Sequence, residues 1–229
     1  MALADEKIHV SSTVRDLAIA TQALEKAEQL MAEQESAIQL VDVRIRYIKA
    51  CVLITENEPD PAQRMAWIRR GIDVGASIQK ESPRRVEGYY YQAALKGRHA
   101  EMEGGVRGFL EVGEVEELGL KAEKLDASYD DGAPLRLLAL LYAKAPSWPK
   151  SVGDVDLALE YAEQAVALSD YPLNHYTMAE VLIQAEEFDE ARQALQKVLS
   201  APEEGKWARE SAHWRAHAET MLTQLQGKP

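Results

Sequence analysis

A single cysteine, Cys51, stands in a chain of 229 residues. A lone thiol closes no intrachain disulfide, so the fold is held without a covalent framework and the redox compartment stays open. No apolar run approaches the roughly eighteen residues a membrane-spanning helix needs. The opening residues, MALADEKIHV, lack the basic start and apolar core of a secretory signal. Basic charge is also short. Lys and Arg number 26 against 38 Asp and Glu, a net charge of −12. That balance disfavours sequence-independent nucleic-acid binding, which needs cations to displace counterions, and it disfavours adsorption to anionic membranes. As written, the sequence suits a cytoplasmic protein; a periplasmic one is expected where an upstream signal peptide has been removed. The alternation of a half-buried strand is missing throughout, so the chain reads as all-α. A hydrophobic content of 46% with 28% charged residues suffices for a sizeable core.

The most legible stretch is LNHYTMAEVLIQAEEFDEARQALQKVLSAP, residues 173–202. Two helical patterns flank a polar turn. Met178, Ala179 and Leu182 come first; Phe188, Ala191, Leu195 and Val198 follow, and Pro202 closes the segment. Small residues stand where two helices would touch. This order resembles one tetratricopeptide repeat (TPR), a hairpin of about 34 residues that buries its apolar face only against neighbours.

The pattern recurs upstream. Val115, Leu118, Ala122 and Leu125 return as Ala158, Tyr161, Ala165 and Leu168 at one constant offset. Ala93-Ala94 with Gly97 returns as Leu138-Ala139 with Tyr142, and then as Met178-Ala179 with Leu182. Between the second and third of these, AKAPSWPKSVGD carries an insertion whose two prolines and glycine cannot continue a helix. Nearer the start, Ser11 or Ser12 is expected to cap a helix bearing Leu17, Ala20, Leu24, Ala27 and Leu30 or Met31. Ser36 is expected to cap a second, apolar on more than one face. Asp60-Pro61 opens a third with Met65, Ile68, Ile72 and Ala76 as its stripe. A fourth runs from about Arg85 to Met102 and breaks at Gly104-Gly105. Residues 126–134 read as a turn before a short helix from Leu135 to Ala143, and Asp154 caps the helix after the insertion. The expectation is an α-solenoid of degenerate hairpins, about ten helices in one domain over 1–229. It comprises N-terminal helices over 13–83, three TPR-like hairpins over 85–202 and a capping helix over 206–226.

A finer likeness rests on Tyr129 to Pro202. Gly132 precedes Leu138, Ala139, Leu141 and Tyr142, which run into Ala145-Pro146, and Gly153-Asp154 opens a helix with Ala158 and Ala165. This is similar to the TPR-like T-component proteins associated with some tripartite ATP-independent periplasmic (TRAP) transporters. It is also similar to the helical regulator-of-microtubule-dynamics proteins. The resemblance implies a helical solenoid that binds something in its groove without catalysis. The transporter-linked members are usually exported lipoproteins; this sequence has no N-terminal lipid-attachment cysteine, and Cys51 lies inside a helical stretch.

No catalytic or cofactor motif stands out. Gly104-Gly105-Val-Arg-Gly108 lacks the Lys and Ser or Thr of a phosphate cradle and follows no strand. His213 and His217 share a helix face without a third ligand, so no metal is expected; His9, His99 and His175 are scattered. The acidic run from Glu111 to Asp131 reads as a solvated face without calcium-loop spacing. The TPR resemblance implies that certain first-helix positions face a concave groove. With Ala94, Ala139 and Ala179 as the small positions, they are Tyr91, Leu95 and Arg98; Arg136, Leu140 and Ala143; Tyr176, Glu180 and Ile183. The binding candidates are therefore Tyr91, Arg98, Arg136, Tyr176 and Glu180, the arginines offering a planar fork to a carboxylate. The alternative is that Arg98 and Arg136 pair with nearby Glu residues while the tyrosines fill core. Trp148, in the Pro-flanked insertion, is a possible contact residue, although a large aromatic more often folds back as a lid. The expected function is a non-enzymatic, cofactor-free module that captures a peptide, a partner-protein segment or a small acidic ligand. The alternative is an adaptor that assembles a larger complex through its outer faces, with homo-oligomers among its products.

Overall fold

Thr13, rather than Ser12, caps the first helix: its Oγ1 accepts from the Asp16 N–H at 3.1 Å and donates to the Asp16 carboxylate at 2.7 Å. The computed structural model describes residues 8, 12–33, 37–202, 204 and 207–228. Ser11, Ser36 and His9 lie outside these, as do the side chains of Leu30 and Met31. Ten helices are described: α1 (Val14–Glu33), α2 (Ala37–Asn57), α3 (Pro61–Glu81), α4 (Val86–Glu103), α5 (Gly105–Asp126), α6 (Tyr129–Lys144), α7 (Val155–Leu168), α8 (Pro172–Gln184), α9 (Phe188–Leu199) and α10 (Ala208–Gln224). Among the described residues no strand occurs, only an isolated bridge between Ser147 and Gly153. The fold is all-α. It falls into two compact units, Met1–Leu125 and Asp126–Pro229.

In the first unit, α2 packs between α1 and α3 and also meets α4. That position explains its sequence: Val41, Val43, Ile48, Ala50, Cys51 and Ile54 are all buried, pointing to several sides at once. Burial pushes the Cys51 thiol up, away from thiolate chemistry. Asp60 and Pro61 start α3, with the Asp60 carboxylate accepting the Ala62 N–H at 2.9 Å. The buried stripe of α3 differs from the expected one. It runs Ile68, Gly71, Gly75, Ile78, while Ile72 is half-buried and Ala76 exposed. The reason is close approach: a Cβ on Gly75 would lie 2.7 Å from that of Gln92. Arg44 ties three helices, reaching Glu28 of α1 at 2.7 Å and Glu81 of α3 at 2.5 Å. Gly104 and Gly105, at φ 60° and 53°, turn the chain from α4 into α5, which no other residue does without strain. Across that turn His99 meets Glu111 at 2.9 Å and Lys96 meets Glu114 at 2.5 Å.

In the second unit, α6 pairs with α7 and α8 with α9; α8 packs on both α7 and α6, and α10 covers α9 and α8. The contacts are built on alanine. Ala139, Ala158, Ala162, Ala165, Ala179 and Ala191 have no exposed surface. A methyl group lets helix axes approach, and larger residues such as Leu138 and Leu195 fill the spaces between, each contributing about 1.5–3 kcal/mol when fully buried. Asp154 caps α7 through the Leu157 N–H at 3.0 Å. The expected turn before α6 takes an unusual form. Asp130, Asp131 and Gly132 are left-handed, at φ 47°, 56° and 93°, and regular helix begins after them with Pro134 in the first turn.

Candidate functional site

The left-handed step at 130–132 leaves carbonyls pointing inward, and satisfying them decides the fate of Arg136. Its guanidinium donates to the Asp131 carbonyl at 2.8 Å, the Asp130 carbonyl at 2.9 Å and Asn174 Oδ1 at 2.6 Å. It also lies over the Tyr171 ring at 5.2 Å and is only 4% exposed. Asn174, with no exposed surface, donates in turn to the carbonyls of Asp131, Ala165 and Ser169. The Asp131 carboxylate takes the Ser169 hydroxyl at 3.1 Å and the Trp207 indole N–H at 3.2 Å. The Tyr171 ring packs tilted against Trp207, centroids 5.6 Å apart, and its hydroxyl donates to Glu210 at 2.5 Å; its burial, then that hydrogen bond, pushes its phenol up. This network locks the starts of α6, α8 and α10 to the end of α7. Arg136 therefore serves the fold and offers no open fork to a carboxylate, contrary to the sequence expectation.

The other expected groove positions divide. Tyr91 and Leu95 are core residues, 4% and 0% exposed, with the Tyr91 ring against Tyr90. Arg98 is spent on the last turns of α2: it donates to the Val52 carbonyl and the Thr55 hydroxyl and pairs with Glu56 at 2.7 Å. A cation belongs there because carbonyls and the negative end of the helix dipole gather at a C-terminus. The alternative of internal pairing thus describes Arg98, through a Glu from another helix rather than a sequence neighbour. Tyr176 is half-buried against Trp214 at 5.4 Å, with its phenol pushed up to about 12, first by burial and then by Glu180. Glu180 pairs with Lys144 at 3.1 Å.

Glu180 and Ile183 line an open cleft of about 430 Å³ in the second unit. Three C-terminal helix ends form it: Lys144 from α6, Glu180, Ile183 and Gln184 from α8, and Met221 of α10 with Leu225, the residue that caps it. Glu186 borders it from the α8–α9 turn, left-handed at φ 62°, and Phe188 from the start of α9. The floor is apolar and the rim carries both signs. Lys228 lies over the Phe188 ring at 5.6 Å, and Arg192 holds the chain end by donating to the Lys228 carbonyl at 2.7 Å. The α10 contributors were not anticipated, because that helix lies outside the repeat pattern.

Trp148 overturns the lid expectation: it is 83% exposed. Its loop is nevertheless firmly held. The Gly153 N–H donates to the Pro146 carbonyl, Asp154 N–H to the Tyr142 carbonyl and Lys150 N–H to the Ser147 carbonyl, at 3.0, 3.0 and 3.1 Å. A Cβ at Gly153 would sit 2.1 Å from the Ala145 oxygen, so glycine is required by space. His213 and His217 lie side by side on α10, ring centroids 4.3 Å apart. Among the described residues no group of three or more His, Cys, Asp or Glu is placed to hold a metal ion, and no helix is long and apolar enough to cross a membrane.

Paired antiparallel helices meeting at fully buried alanines, with a covering helix at the end, define a helical-repeat fold of the TPR type. Residues 151–209 match the family model described as tetratricopeptide repeat. Among solved structures, the chain is similar to a thermophilic TPR protein of Thermus thermophilus. The TM-score is 0.59 at 17% identity, over 89% of this chain and 99% of that one. At that identity the likeness shows the fold, an all-α repeat of the α-solenoid class. No curated protein matches the chain. Neither comparison singles out the TRAP-transporter T-components or the microtubule regulators, so what stands is the broader statement, a TPR-like protein.

Proposed function

We propose that the chain is a non-catalytic interaction module that receives a peptide or a segment of a partner protein in the cleft of its second unit. The observation that carries this reading is the cleft itself: an apolar floor of Ile183, Met221 and Leu225 under a rim bearing Lys144, Glu180, Glu186 and Lys228. Apolar anchoring with charged groups at the edge is how extended segments gain affinity from the floor and register from the rim. A small acid fits less well. Arg136 is buried and fully engaged, and Lys144 already holds Glu180. TPR-type repeats present surfaces rather than reacting groups, which supports a binding role without chemistry.

Screening an array of synthetic peptides against the whole chain tests the proposal. Peptides that bind are expected to lose at least tenfold in affinity, about 1.4 kcal/mol, when Ile183→Glu puts a carboxylate on the floor. Circular dichroism must show that variant folded. Equal binding to the folded variant and the parent sinks the cleft as the site. The adaptor reading has its own support in exposed apolar side chains on other faces, Val106 at 76% and Leu110 at 70% on α5, and Trp148 at 83%.

A further inference from the structure

We propose that two copies of the chain pair through reciprocal insertion, the Trp148 indole of each entering the Ile183–Met221–Leu225 cleft of the other. The pairing uses the same cleft as the proposed capture but stands apart from it, since the occupant is this chain itself.

Three observations point to it. First, Trp148 is the most exposed large apolar side chain among the described residues, yet the loop that carries it is fixed by the three backbone hydrogen bonds and the space requirement at Gly153. An indole held out on an ordered loop loses little freedom on docking, and such residues are the common anchors of interfaces. Second, knob and hole lie at the same end of α6. Lys144 borders the cleft, and the chain reaches Trp148 four residues later. A protrusion beside a recess on one surface is self-complementary about a two-fold axis, and such an axis closes the assembly at a dimer. Third, charge matches. In a chain of net charge −12, the stretch from Lys144 to Val152 has two lysines and no acid. Glu180 on the rim is already paired with Lys144, so the match rests on Lys150, exposed beside the indole, which would meet the exposed Glu186. The cleft, at about 430 Å³, is of the size that admits a group larger than an indole.

Two indoles bury roughly 300–500 Å² between them, and a stable interface needs upward of about 1,000 Å². Contacts of Pro149 and Lys150 with the rim add to this but keep the interface at the low end of that range, so a weak, concentration-dependent dimer is expected rather than a permanent one.

Sedimentation equilibrium of the full chain, from about 1 μM to a few hundred μM, reads the pairing directly. The parent chain is expected to move from monomer to dimer mass across that range. Trp148→Ala, on a side chain that packs against little of its own chain, is expected to shift the midpoint at least tenfold upward. Met221→Glu is expected to do the same from the cleft side. An equimolar mixture of the two variants restores one intact knob and one intact hole, and it is expected to associate more strongly than either alone. A parent chain that stays monomeric overturns the proposal, and so does a dimer indifferent to Trp148→Ala. Because the tryptophan variant cannot fail by unfolding the core, it decides the matter even if Met221→Glu folds poorly. A monomeric parent would leave peptide capture untouched, whereas peptide binding insensitive to Ile183→Glu would remove capture and leave the dimer to its own test.

Discussion

Replacing Asn174 by alanine removes a carboxamide whose four contacts hold three helix ends together. Its two N–H donors serve three carbonyls, at 3.0 Å to Asp131, 2.8 Å to Ala165 and 2.8 Å to Ser169, so one donor is shared. Its oxygen accepts from Arg136 at 2.6 Å. The two neutral hydrogen bonds are each worth about 0.5–1.5 kcal/mol and the charge-assisted one about 1.5–3, and the groups left behind are buried. Water enters the gap only in part, so the expected loss is about 3–5 kcal/mol. A large share of the stability of a unit this size is at stake. Urea unfolding followed by tryptophan fluorescence in a Trp67→Phe background, which leaves Trp148, Trp207 and Trp214, all in the second unit, reports on this unit. Midpoints convert to free energy if the slope is unchanged. Asp170→Ala is the control: that carboxylate is 88% exposed and pairs with His175, so its removal should cost less than about 0.5 kcal/mol. If Asn174→Ala lies within about 1 kcal/mol of the parent, the network is not what holds these helices.

Ala179→Leu adds bulk to a position with no exposed surface and should cost about 1–3 kcal/mol or more, whereas Ala185→Leu, half-buried beside the turn, should cost much less; urea midpoints compare them. Gly75→Ala is expected to destabilise by a similar amount, because its Cβ would lie 2.7 Å from Gln92 and 3.1 Å from Ile48. Gly97→Ala meets nothing within 4 Å and should gain about 0.5–1 kcal/mol from helix propensity, raising the thermal midpoint. The Tyr176 phenol is pushed up from 10.0 to about 12, so the fold favours its neutral form. That contribution is complete below pH 10.0 and is lost as pH rises through about 12. Urea midpoints measured across that interval should fall with rising pH, and Tyr176→Phe should make the fall shallower.

The two halves of the cleft differ in how they arose. Glu180 and Ile183 lie on a helix that sits inside a recognisable hairpin, and their spacing from Ala179 follows from helical period alone. Met221 lies on α10 and Leu225 caps it, and that helix is brought to the cleft by packing on α8 and α9.

Local chemistry, written in short stretches, determined where the helices begin and stop. Asp60-Pro61 and Asp154 cap because a carboxylate next to free N–H groups needs no distant partner, and Gly104-Gly105 breaks because of its own φ angles. The small positions Ala139, Ala179 and Ala191 were equally legible, since repeated hairpins must repeat their points of contact. Tertiary structure decided everything that depended on which surface a helix meets. The inner stripe of α3 moved onto Gly71 and Gly75, because a missing side chain signals close approach only when a neighbour is there to use it. Trp148 points outward because hydrogen bonds on both sides of the loop fix its direction, which no count of apolar residues contains. Arg136 sits at a position that faces a groove in an ideal hairpin, yet it is drawn inward by Asn174, 38 residues along the chain, and by the carbonyls of a left-handed turn. A helical period specifies the side of the helix on which a guanidinium starts; the carbonyls within its reach, set by the folded chain, specify where it ends.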